Sequence, residues 1–152
     1  MATEQNQTEN TQNIQADRSP GEQPPRPAVW PTLSYRDARA AIEFLTFALG
    51  FVEKASYADE SDSMKVVHAQ LDWPPGGGIM LGSSGRPEGM VDPTGHGSTY
   101  CVTDDVDAVF ARAVAAGATV VREPADQDYG GRNCVLRDPE GNQWSFGSYR
   151  GE

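Results

Sequence analysis

The chain has 152 residues, of which 38% are hydrophobic, and 22 acidic side chains against 12 basic ones give a formal net charge of −10. That length supports one ordinary domain rather than two. No apolar run approaches the roughly 18 residues of a membrane span, and the clustered Lys and Arg that neutralise phosphates are missing, so membrane and nucleic acid are both excluded as partners. Glu4, Glu9, Asp17 and Glu22 stand against two arginines ahead of Val29, leaving 18 acids and 10 bases, or −8, for the remainder. Such a surface keeps a protein soluble, and at long range it favours a cationic ligand.

Residues 1–28 are rich in Gln, Asn, Thr and Glu and end in "SPGEQPPRPA". They hold almost no apolar side chain to offset the entropy of ordering, so a disordered tail is expected. The start of the chain has neither a basic segment nor an apolar core of the secretory type, which points to the cytoplasm. Cys101 and Cys134 both lie in apolar strand-like runs, where free buried thiols are the expectation.

From Val29 the pattern becomes periodic. "VWPTLSY" reads as a strand. "DARAAIEFLTFALG" reads as a helix capped by Asp37 and closed by Gly50, with Ile42, Leu45 and Leu49 on its apolar stripe. "FVEKASYAD", "MKVVHAQLDW" and, after the turn "PPGGG", "IMLGS" complete a strand-helix-three-strand unit. A loop rich in Gly, Pro and Ser runs from Ser83 to Gly97, and the same order then returns. "STYCVT" is a strand, Asp104 or Asp105 caps a helix that ends at Gly117, and "ATVVREP", "GRNCVLRD" and "NQWSFGSY" are strands. One α+β domain over 29–150 follows, made of two βαβββ modules at about 29–83 and 97–150.

In the last strand successive side chains point to opposite faces. Trp144 and Phe146 therefore share a greasy face assigned to the core, while Gln143, Ser145 and Gly147 share a small polar one.

The chain from Val29 to Tyr149 resembles the vicinal oxygen chelate superfamily, the group of glyoxalases, bleomycin-resistance proteins and extradiol dioxygenases. The resemblance is carried by "YRDARAAIEFLTFALGF" and "TDDVDAVFARAVAAGA" at the starts of the modules and by the closing "RDPEGNQWSF". It implies a mixed sheet curled into a partly open cup around a cavity, often completed by a second subunit, so a homodimer is expected. Metal-dependent members hold a divalent cation with one residue from the first strand and one from the last strand of each module, usually His, Gln or Glu. Here the matching positions are Trp30, Met80, Ser98 (within one residue) and Ser145. Indole has no lone pair to offer, a thioether prefers soft metals and neutral hydroxyls bind weakly. The expectation is a metal-free, cofactor-free protein of the bleomycin-resistance type, sequestering an antibiotic or metabolite.

Strand alternation lines the implied cavity with Trp30, Thr32, His68, Gln70 and Met80 from the first module and Tyr100 and Ser145 from the second. Aromatic rings, a methionine and a few hydrogen-bonding groups suit a planar or amphipathic molecule, which the acidic surface would favour as a cation. "DQDYGGRN" adds Tyr129, Arg132 and Asn133 at the mouth of the cup, with Arg132 equally able to pair with a surface acid. Trp73, beside "PPGGG", is a candidate for a dimer seam. The alternative function is a lyase, isomerase or dioxygenase-like enzyme of the same superfamily. It would use either a metal site shifted to His68 and His96 or His68 as a base. Nothing resembling a nucleophile elbow or a phosphate loop is present.

Overall fold

The computed structural model describes residues 26–128 and 130–152. The first module runs β1 (Thr32–Tyr35), α1 (Ala38–Phe44), β2 (Val52–Ala58), β3 (Val66–Asp72) and β4 (Gly78–Ser83). The second runs β5 (Ser98–Val102), α2 (Val106–Ala115), β6 (Thr119–Asp126), β7 (Arg132–Arg137) and β8 (Gln143–Gly147). Each module folds into a four-stranded mixed sheet, ordered β1-β4-β3-β2 and β5-β8-β7-β6. In each, the strand before the helix pairs in parallel with the last strand, and the other pairs are antiparallel. This is the α+β architecture expected from the repeated pattern.

The helix ends follow from local chemistry. Asp37 Oδ1 accepts the Ala40 N–H at 3.0 Å, capping α1. Beyond Phe44 the helix widens into a π-helical turn, Leu45–Leu49. There the Thr46 hydroxyl donates back to the carbonyls of Ile42 (2.8 Å) and Glu43 (3.1 Å), competing with the regular ladder. Gly50 closes the turn at φ 97°, a conformation that side chains other than glycine's rarely adopt. Ile42, Leu45 and Leu49 are buried as the stripe predicts. Asp105 occupies the cap position of α2 without a side-chain cap bond, its N–H donating to Thr103 Oγ1 at 3.1 Å.

One boundary differs. The first strand was expected from Val29, but pairing begins at Thr32. Pro31 has no N–H to give, and its carbonyl accepts the Met80 N–H at 3.0 Å. Trp30 therefore precedes the strand, its indole Nε1 donating to Pro27 O at 3.1 Å.

The modules meet over aromatic rings. Phe51 contacts Trp73 (centroids 4.9 Å) and Trp144 (5.4 Å, edge-on), and Trp73 contacts Phe146 at 5.8 Å. Trp73 Nε1 also donates to Val102 O at 2.8 Å, so this residue joins the two modules of one chain. The closing turn adds polar clasps. Buried Asp138 accepts from the Tyr35 hydroxyl at 2.6 Å, and Glu140 accepts the N–H groups of Arg36 (2.6 Å) and Asp37 (2.9 Å) ahead of α1. Trp144 and Phe146 are buried, and Ser145 between them is half-buried on the other face, as the alternation requires.

Candidate functional site

The face of the first sheet opposite the core carries two neighbouring clefts. Register places Thr32 and Gln70 on either side of Met80, and Tyr57 beside His68. Core residues Ala69, Leu71, Ile79 and Leu81 alternate with them and point the other way. Two clefts follow from this arrangement. One, of about 410 Å³, is lined by Thr32, His68 and Met80, with Lys65, Arg86 and Met90 at its rim. The other, of about 830 Å³, is lined by Trp30, Gln70, Met80, Lys54 and Asp72. Both volumes fall in the range of small-molecule sites.

The floor is shaped by glycines that let neighbours approach. A Cβ on Gly78 would meet the Trp30 ring at 2.8 Å, so the indole rests directly on the strand. A Cβ on Gly82 would meet the Val67 carbonyl at 3.0 Å, which keeps that part of the cleft free of side chain. Tyr57 stacks near-parallel with His68, centroids 6.3 Å apart and interplanar angle 20°. Met90 is 58% exposed and Val67 59%, so the first cleft presents unburied apolar surface.

The other expected residues are distributed differently. Tyr100 lines a third cleft of about 410 Å³ at the seam between modules, with Phe51 and Trp73. Its hydroxyl donates to Tyr149 O at 2.9 Å, and its ring stands over Gly147, where a Cβ would collide with it. Ser145 sits opposite Tyr100 in the parallel pair and lines none of these three clefts. Arg132 forms a fork onto Asp107 (2.8 and 2.9 Å) and a bond to Asp126 at 3.2 Å, all at the surface. Arg132 is the main reason that the Asp107 carboxyl is held below the ordinary range. Tyr129 lies outside the described residues.

The four positions implied for a divalent cation do not fit one. Trp30 and Met80 offer no hard donor, Ser98 Oγ accepts from Gln143 Nε2 at 3.4 Å, and Ser145 is a neutral hydroxyl. His96 is exposed in the loop before β5, its N–H bonded to Pro93 O at 2.9 Å, and lines neither cleft of the first sheet. Among the described residues no three His, Cys, Asp or Glu side chains converge as a metal centre. Both thiols are buried, and burial pushes Cys101 up to about 12 and Cys134 to about 11, which makes them poor nucleophiles.

Lys54, Lys65, Arg86 and Met90 were not anticipated. Lys54 and Lys65 could have been found by pairing the second strand with the third. Arg86 and Met90 come from the aperiodic loop after β4, where no pattern marks them.

Two mixed sheets with one helix apiece define an α+β protein, with open clefts of small-molecule size on one sheet face. Residues 28–146 match the model of the Glyoxalase/Bleomycin resistance protein/Dioxygenase superfamily, and the chain belongs to that family. An uncharacterized protein of Mycobacterium tuberculosis is 36% identical over 129 residues, covering 80% of this chain and 74% of its own. The crystal structure of TioX from Micromonospora sp. ML1 superposes with a TM-score of 0.64 at 30% identity, over 78% of this chain and 95% of its own. TnmS3, an antibiotic binding protein from Streptomyces sp. CB03234, superposes with a TM-score of 0.55 at 25% identity, over 76% and 88%.

Proposed function

We propose that this chain binds a planar aromatic or amphipathic small molecule, an antibiotic or a metabolite, and sequesters it without metal or chemical change. The observation that carries this reading is the pair of clefts meeting at Met80. They offer an indole on one side, the His68 imidazole on the other and a flexible thioether between. Likeness to an antibiotic binding protein supports it, as does the poor fit of Trp30, Met80, Ser98 and Ser145 to a cation. The net charge of −10 favours a cationic ligand only at a distance, because the residues lining the clefts have the opposite balance.

The working form is a cytoplasmic homodimer. The outer strands β2 and β6 leave open edges bearing exposed Tyr57, Val120 and Val121. Light scattering after gel filtration should give twice the mass of one chain; a monomer at tens of micromolar would overturn this.

The test is a thermal-shift screen of aromatic antibiotics, bleomycin included, with Trp30→Ala as control. A ligand at about 100 times its Kd stabilises by about 2.7 kcal/mol, which is readily seen. A raised Tm that is reduced in Trp30→Ala supports the site, and no shift across the panel counts against it. Incubation with zinc, nickel, manganese and iron(II), desalting and elemental analysis test the metal-free part. Stoichiometric retention lost in a His68→Ala, His96→Ala double variant would sink it.

One observation favours an enzyme of the same superfamily, namely that His68 lines the cleft. In support, 46 residues are 50% identical to a putative glyoxylase of Mycobacterium bovis, a match covering 30% of this chain and 18% of the relative. That reading requires turnover abolished by His68→Ala with binding retained.

A further inference from the structure

The charge inside the clefts runs against the charge of the whole chain. Acids outnumber bases 22 to 12 overall. Yet the first cleft is lined by Lys65 and Arg86, with His68, against the single acid Asp59. The adjoining cleft repeats the bias, with Arg26 and Lys54 against Asp72. Lys54 and Lys65 are the only lysines of the chain, and both are spent here.

The acids are already engaged. Asp59 Oδ1 accepts from the Ser61 N–H at 2.8 Å and its hydroxyl at 2.6 Å. Asp72 Oδ1 accepts from Gln70 Nε2 at 2.8 Å. The Ser61 bonds are the main cause of the Asp59 carboxyl lying below its ordinary range, and Lys65 acts on it only through space, as a lesser cause. Among the described residues neither cleft cation is held in a contact ion pair. Among the described residues Arg86 is anchored only on main-chain carbonyls, Nη2 to Leu33 O at 3.2 Å and Nη1 to Val91 O at 3.5 Å. Among the described residues no carboxylate lies within ion-pair distance of Arg86 or Lys65. A guanidinium presents several N–H donors in a planar fork, so two carbonyls leave both donors and charge for an oxyanion.

The two cations are also brought together by construction. Lys65 stands at the start of β3 and Arg86 three residues beyond β4. The Val66 N–H donates to Ser83 Oγ at 2.9 Å, tying the head of one strand to the end of the other. The loop that carries Arg86 is folded back on Asp92, which accepts from the Gly85 N–H at 2.8 Å and the Thr94 hydroxyl at 2.7 Å.

We infer that the ligand of the first cleft carries an acid group, a carboxylate or phosphate monoester, which Lys65 and Arg86 bind while its aromatic body lies over Met80 towards Trp30. This rests on the aromatic-ligand reading above and reverses the sign of charge that the net charge of the chain would suggest.

Naphthoate, naphthamide and naphthylmethylammonium share one ring system and differ in charge, which separates the two ideas. In calorimetric titrations of the full chain at low salt, naphthoate should bind at least about fivefold more tightly than naphthamide, the worth of a partly exposed ion pair. The advantage should shrink as salt is raised. Lys65→Gln and Arg86→Gln should each remove most of it, lowering naphthoate affinity well beyond any change in naphthamide affinity. Among the described residues no side-chain hydrogen bond of Lys65 holds the fold, so Lys65→Gln remains informative if Arg86→Gln loosens its loop. Equal affinity for naphthoate and naphthamide, or preference for the ammonium, overturns the acid-group inference and leaves the aromatic site intact. A naphthoate preference that Lys65→Gln abolishes and Trp30→Ala does not touch sustains the acid group and sinks the aromatic contact. Absence of binding by all three at millimolar concentration overturns both.

Discussion

Asp138→Asn tests whether the closing turn locks the two modules together. Asp138 is 4% exposed. Its Oδ1 accepts the N–H groups of Glu140 (3.0 Å) and Asn142 (3.1 Å), and its Oδ2 accepts the Tyr35 hydroxyl (2.6 Å) and Trp144 Nε1 (3.0 Å). Burial first, and then the charge of Asp138, hold the Tyr35 phenol far above its ordinary pKa, so it stays a donor. An amide of the same shape has one acceptor oxygen. If that oxygen serves the turn, the NH₂ group faces Tyr35, which can rotate and accept, and the indole, which cannot. One buried donor is then unmatched, and the charge-assisted bond to Tyr35 becomes a neutral one. Together these cost about 2–4 kcal/mol, or a fall in Tm on the order of 10 °C. Tyr35→Phe, which leaves the carboxylate three donors, should cost about 1 kcal/mol. The assay is urea unfolding with the m-value held constant between variants. Because both changes remove the same bond, the double variant should fall short of the sum by about 1 kcal/mol. Loss of less than about 0.5 kcal/mol in Asp138→Asn, or strict additivity, would refute the lock.

Four further outcomes follow from the same geometry. Cys101 and Cys134 should resist an aromatic disulfide reagent at pH 8 until the chain is denatured; rapid reaction of either in the native state would contradict their burial. Their folded pKa values, about 12 and about 11, lie above the ordinary value of 9.0, so the unfolded state ionises first. Stability is therefore full below about pH 9 and falls as pH rises through the folded values, and a urea midpoint unchanged between pH 9 and 11 would count against this. Gly147→Ala drives a methyl into the Tyr100 ring and should destabilise by about 1–3 kcal/mol; an unchanged midpoint would mean that the ring swings away freely. Arg132→Ala should cost under about 1 kcal/mol, because its pairs with Asp107 and Asp126 are exposed. A loss above about 2 kcal/mol would show that the fork holds β7 to α2.

The parts of the fold legible in the sequence are those written in local periodicity. Alternation put Trp144 and Phe146 in the core and Ser145 across from them, and spacing put Ile42, Leu45 and Leu49 under α1, because each pattern depends only on near neighbours. The extent of the first strand was not legible in the same way. Trp30 fits the alternation, but Pro31 withholds the hydrogen bond that would have extended the ladder. Alternation also assigns a face without saying which cleft that face forms. Thr32, His68 and Met80 share one cleft, Trp30, Gln70 and Met80 another, while Tyr100 turns to the seam over Gly147. The seam that takes Tyr100 depends on how the second sheet is set against the first, through Phe51, Trp73 and Trp144, contacts between residues far apart in the chain.

Charge shows the same limit from the other side. The total of −10 sums side chains spread over the whole surface, and at physiological salt each is screened within about 8 Å. A bound ligand responds instead to the few groups at its own distance, and in the first cleft these are Lys65, Arg86 and Asp59. Lys65 can be placed there only once β3 is known to run beside β4. Arg86 requires, in addition, a loop fixed by Asp92, Leu33 O and Val91 O, none of which leaves a periodic trace. An acidic chain can therefore present a basic cleft: the acids spread over the whole surface set solubility and encounter, and two cations joined through Val66 and Ser83 set the local charge at the first cleft.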